Sequence, residues 1–101
     1  MNLPQEITVD PSSTPKEALV GGSRDAALTL EYVPDTGKSA TAAVTLTITS
    51  PDGTTSTWNV TGMTEEFHVK DDFASLSPGS RIKLEVVDAT ARIRWCEVVC
   101  C

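Results

Sequence analysis

An all-β sandwich is the fold class this sequence predicts, and three observations carry the prediction. Val and Thr alternate along repeated short stretches, turn residues interrupt the chain about every ten residues, and a single brief segment carries a helix signal. The chain has 101 residues, 40% of them hydrophobic and 22% charged, which are globular values sufficient for one domain with one modest core. The expected object is a seven-stranded antiparallel sandwich, with a possible first strand in an irregular arm over residues 1–25 and the sandwich domain proper over residues 26–101.

Within the arm, Ile7 and Val9 alternate with polar neighbours as a first strand would. Thr14-Pro15-Lys16-Glu17 combines an N-cap residue, a Pro at the first helical position and an acid three residues on, ending at Gly21-Gly22. It reads either as a short helical turn or as an irregular connection rich in Ser and Pro. Leu28, Leu30 and Tyr32 then alternate with Thr29 and Glu31, a strand closed by Pro34-Asp35-Thr36-Gly37. The clearest strand runs from Ala43 to Ser50, with Val44, Leu46 and Ile48 on one face and Thr45, Thr47 and Thr49 on the other. Pro51-Asp52-Gly53 turns it into a second strand in which Trp58 and Val60 alternate with Thr57, Asn59 and Thr61, so these two form a hairpin. Phe67 and Val69 make a short inward-facing segment, Ile82, Leu84 and Val86 the next strand, and Ala91, Ile93 and Trp95 the last. The alternation fails at Glu97-Val98-Val99, as at a bulge or where a strand leaves the sheet. Trp58 and Trp95 fall in register with the apolar positions and read as core anchors.

The stretch Leu76-Ser77-Pro78-Gly79-Ser80-Arg81-Ile82-Lys83-Leu84-Glu85-Val86 resembles the turn-into-strand signature of fibronectin type III domains, where a Leu-x-Pro-Gly corner feeds an alternating strand. That resemblance implies an immunoglobulin-like sandwich. Arg81 and Ile82 stand where that family places a Tyr, and the cysteines and tryptophans do not follow the Cys, Trp, Cys order of immunoglobulin domains.

Composition excludes several functions. A formal charge of -6 and a pI near 4.5 repel phosphate backbones, so no nucleic-acid partner is expected. The apolar runs are far shorter than the roughly 18 residues of a membrane helix, so no membrane partner is expected either. The start, Met1-Asn2-Leu3-Pro4-Gln5-Glu6, has neither a basic nor an apolar leader region, which points to synthesis in the cytoplasm without a secretory signal.

Candidate chemistry is sparse. Cys96, Cys100 and Cys101 cluster in the last residues without the paired spacing of a zinc site, and are expected as free thiols or in an intermolecular disulfide. His68, between Phe67 and Val69, is expected outward, either solvated or at an interface, with no nucleophile elbow to serve. Glu65-Glu66 and Asp71-Asp72 flank that segment as a solvated acidic edge that discourages strand pairing. Asn59-Val60-Thr61 is a glycosylation sequon with its Asn on the outer face. No catalytic, cofactor-binding or metal-ligating set is assigned, and no cofactor is expected.

Arg81, Lys83, Arg92 and Arg94 concentrate positive charge on the outward faces of two strands expected to be neighbours, suited to an acidic patch on a partner or on another copy of this chain. With Val98, Val99 and Cys100 they form the expected interface. The resulting expectation is a non-enzymatic structural, assembly or binding module whose partners are other protein subunits, through self-assembly or through capsid or tail proteins. Its nearest analogy is a small accessory component of a bacteriophage virion: capsid decoration, head or tail. The alternative is an extracellular adhesion or carbohydrate-binding module from a larger secreted protein.

Overall fold

The computed structural model describes residues 5–21 and 24–97. Eight strands follow in order: β1 (Gln5–Val9), β2 (Lys16–Leu19), β3 (Ala26–Pro34), β4 (Ala43–Thr49), β5 (Thr55–Thr61), β6 (His68–Lys70), β7 (Arg81–Val87) and β8 (Ala89–Glu97). Two four-stranded antiparallel sheets contain them, in the orders β1-β8-β3-β6 and β2-β7-β4-β5. The expected all-β sandwich is present, with eight strands in place of seven and no helix among the described residues.

The hairpin read from Pro51-Asp52-Gly53 is the pivot of the whole topology. Gly53 takes a φ of 92°, a conformation glycine adopts without a Cβ clash, and its amide donates to the Ser50 carbonyl at 2.9 Å. Around this turn the pairs β4 with β5, β3 with β6, β2 with β7 and β1 with β8 nest one outside the next. The chain is one long hairpin rolled so that its strands are shared between two sheets, which is the strand order of a jelly roll.

This order replaces the immunoglobulin-like arrangement expected from the Leu76-to-Val86 resemblance, in which the last two strands would lie side by side in one sheet. Here β7 and β8 belong to different sheets. Only Asp88 separates them, at a φ of 50°, too short a link for a two-residue hairpin loop. Its carbonyl accepts the Asp35 amide at 2.8 Å and its carboxylate accepts the Thr41 hydroxyl at 2.6 Å, which pins the crossing point.

Residues assigned to an arm are part of the sandwich, since β1 and β2 each complete one sheet. Lys16–Leu19 forms a strand where a helical turn was an expectation. Four residues repay little of the cost of nucleating a helix, whereas pairing with β7 gives the backbone groups on that side of the strand partners across the ladder. The Thr14 hydroxyl, read as a helix cap, accepts the Val86 amide of β7 at 3.0 Å instead.

Val9, Val20, Leu28, Leu30, Val44, Leu46, Ile82, Leu84 and Ile93 fill the space between the sheets, with Trp95 buried beside them. Ala26, Ala42, Ala89 and Ala91 are buried too, and an alternation pattern counted on large side chains passes over them. The short β6 reverses its expected facing: Val69 and Phe67 are 57% and 59% exposed, while His68 and Lys70 lie opposite Tyr32 and Leu30 on the inner face of β3. Register with β3 decides this, because a one-residue shift turns every side chain of a strand over.

Candidate functional site

The four basic residues expected to share one face are divided between the two outer faces. Arg92 and Arg94 lie on β8, in the β1-β8-β3-β6 sheet, and Arg81 and Lys83 lie on β7, in the other. Neighbours in sequence, the strands are back to back in space. Val98, Val99 and Cys100, the remainder of the expected interface, lie outside the described residues.

The two pairs also differ in electrostatic state. Glu31 on β3 stands opposite Arg92, and its Oε1 accepts the Arg92 Nε and Nη2 at 2.9 and 2.6 Å. Arg94 Nη2 approaches the same oxygen at 3.4 Å. The hydrogen bond from Glu31 and its charge hold the Arg92 guanidinium above its ordinary range. Arg92 and Arg94 are thus engaged within their own sheet, whereas Arg81 and Lys83 form no ion pair among the described residues.

Where β5 and β6 form the edges of their sheets, an aromatic group spans the gap between them. Tyr32 and Trp58 have ring centroids 5.8 Å apart, Trp58 and Phe73 meet edge to face at 6.1 Å, and His68 stacks on Tyr32 at 5.0 Å. Lys70 Nζ lies 5.0 Å from the Phe73 ring centroid and 5.6 Å from that of Trp58, and donates to Asp72 at 2.6 Å. That hydrogen bond and the ammonium charge hold the Asp72 carboxyl below the usual aspartate range. A cation shared between two ring faces and a carboxylate supports the edge and is already satisfied.

His68 is half-buried against Tyr32, contrary to the outward facing expected of it. Its Nε2 lies 3.2 Å from the Thr64 carbonyl and 3.3 Å from the Thr64 hydroxyl, so Nε2 bears the proton it gives to that carbonyl. This geometry ties the β6 approach segment to the sandwich.

Outside the aromatic group, β6 presents an apolar pair to solvent. Phe67 and Val69 are exposed, with the carboxylates of Glu65 and Glu66 on one side and Asp71 and Asp72 on the other. Glu65 accepts the Gly37 amide and Asp72 pairs with Lys70, which leaves Glu66 and Asp71 without a partner among the described residues. The expected acidic edge is therefore a real sheet edge, but with an apolar centre that the inward assignment of Phe67 and Val69 concealed. Its signal in the sequence was the brevity of the segment between two acidic pairs, since three residues cannot cover both faces of an edge.

On the far side, Leu19 of β2 is 56% exposed and lies opposite Arg81, with Glu17 opposite Lys83. Leu19 escaped the sequence reading because its segment was read as a helical turn or a connection. Glu85 of β7 is a second acid on that outer face, opposite Thr45. Beyond it the face is uncharged: Thr45, Thr47 and Thr49 of β4 pair with Asn59, Thr57 and Thr55 of β5, and Asn59 Nδ2 donates to Thr45 Oγ1 at 2.6 Å. Asn59 is exposed, as a sequon requires. Cys96, on β8, is disulfide-bonded, which replaces the free thiol among the alternatives for that residue. Compared with known proteins, the chain matches no family model, no curated protein and no solved structure.

Proposed function

We propose that this chain is a non-enzymatic assembly module, a small sandwich that binds other protein subunits along its sheet edges and serves as an accessory component of a larger particle of the bacteriophage virion kind. The observation that carries the reading is the β6 edge, where Phe67 and Val69 stand exposed at a strand that is paired with β3 on one side only. Exposed apolar side chains on a strand with free backbone groups favour contact with another protein surface. The jelly-roll strand order is compatible, being common to capsid domains, though a fold alone does not carry a function. In this reading the chain is made in the cytoplasm and works in the particle, without nucleic acid or membrane as partner. Native mass tests it: the endogenous chain, followed by antibody through gel filtration with light scattering, should elute in a particle far heavier than 10.8 kDa. Elution as a monomer would sink the proposal.

One observation favours the second reading, an extracellular adhesion or carbohydrate-binding module. A disulfide at Cys96 is the chemistry of oxidising compartments, and Asn59 stands exposed within its sequon. Jelly rolls also occur among lectins. Titration of the chain with a panel of oligosaccharides separates the two, because only this reading expects saturable heat.

A further inference from the structure

We infer that copies of this chain associate head to tail, the acidic β6 corner of one meeting the β2 corner of the next; this deepens the assembly reading and rests on it. Four large apolar side chains are exposed among the described residues: Leu19, Phe67, Val69 and Val87. Phe67 and Val69 belong to the β6 edge and Leu19 to the β2 edge, so three of the four mark two edges. The other two edges, β1 and β5, carry no exposed large apolar side chain among the described residues.

Charge selects which edge meets which. Glu66 and Asp71 beside Phe67 and Val69 have no partner among the described residues, so two β6 corners brought together would set carboxylates against carboxylates. The acids that protect this edge from its own kind attract a basic one. At the β2 corner, Arg81 lies opposite Leu19 and Lys83 opposite Glu17, with Glu85 next on the same face of β7, and the exposed Lys16 of the edge strand adds a third cation to set against those two acids. Neither Arg81 nor Lys83 is engaged in an ion pair among the described residues. Arg92 and Arg94 do not compete for the role, being held by Glu31.

Geometry then sets the form of the assembly. β1 lies against β2, and the aromatic group joins the β5 and β6 edges, so β6 and β2 occupy opposite sides of the sandwich in opposite sheets. A contact between two different surfaces of the same molecule is heterologous, and repeats into an open chain or a closed ring. The free backbone groups of both edge strands add ladder hydrogen bonds to the apolar contact.

Sedimentation velocity of the full chain from about 5 to 500 µM, in low and high salt, reads this directly. The weight-average mass should climb above 10.8 kDa with concentration and fall back in high salt. Two charge reversals, Arg81→Glu with Lys83→Glu, and Glu66→Lys with Asp71→Lys, should each lose association at least tenfold, and an equimolar mixture of the two should recover it. All four positions lie at the surface, and unchanged circular dichroism confirms that both variants fold. Retention of wild-type association by the Arg81→Glu, Lys83→Glu chain, or no recovery in the mixture, overturns the head-to-tail contact while leaving assembly through another surface intact. A chain monomeric at every concentration also overturns it, and the endogenous particle mass then decides the assembly reading separately.

Discussion

Replacing Glu31 with Gln tests whether Arg92 and Arg94 are structural rather than available to a partner. Glu31 is buried among its neighbours, its side chain 13% exposed, while Arg92 and Arg94 are 41% and 46% exposed. The amide keeps the shape and one acceptor oxygen but loses the charge that two guanidiniums share. Exposed ion pairs contribute about 0–1 kcal/mol and hydrogen bonds to charged groups about 1.5–3, and solvent around the arginines moves the estimate toward the lower figures. The expected loss is about 1–2 kcal/mol, or a fall in Tm of roughly 5–15 °C for a domain of this size. Urea unfolding followed by Trp58 and Trp95 fluorescence measures it, and the slope against urea should not change, because the buried surface is the same. A cycle with Arg92→Met isolates the pair from other effects. A loss below about 0.3 kcal/mol at unchanged slope would refute the assignment and return both arginines to the list of free cations.

Other consequences follow from the same packing. Leu30→Ala, at a fully buried position between the sheets, should cost about 3–5 kcal/mol in the same urea assay, whereas Thr57→Ala on the outer face should stay within about 0.5. Ser80 is buried with its hydroxyl unpartnered among the described residues, so Ser80→Ala should leave stability unchanged or raise it by up to about 1 kcal/mol; a clear loss would show an unrecognised bond. Asp10 is held below its ordinary value of 3.8 by the hydroxyls of Ser12 and Ser13, and Asp52 by the Thr54 amide. A carboxylate lowered in the folded state contributes stability that is whole above its unfolded value and is lost as pH falls through its folded one. Stability should therefore decline below about pH 4, and less steeply in the Asp10→Asn variant, as read by urea midpoints across an acid series.

Much of the sandwich was legible because strand alternation is a local property. Leu28, Leu30, Val44, Leu46, Ile82, Leu84 and Ile93 are buried as their period of two requires, and the Pro51-Asp52-Gly53 hairpin forms where the turn residues place it. Lys16–Leu19 was not legible, because an edge strand of four residues owes its state to β7 rather than to its own pattern. The surface site was half visible. The four bases and two acidic pairs stood out by composition, but charge along a chain does not tell which face of which sheet will hold it.

The sequence by itself determined an all-β chain, its pivotal hairpin, most of its core and an acidic edge, since each depends on residues within a few positions of one another. Tertiary structure alone decided that β7 and β8 part at Asp88 into different sheets, that Glu31 takes Arg92 and Arg94 out of circulation, and that Phe67 and Val69 face outward. Those outcomes depend on pairings between residues distant in the chain, where the register of one strand against another settles which side chains meet.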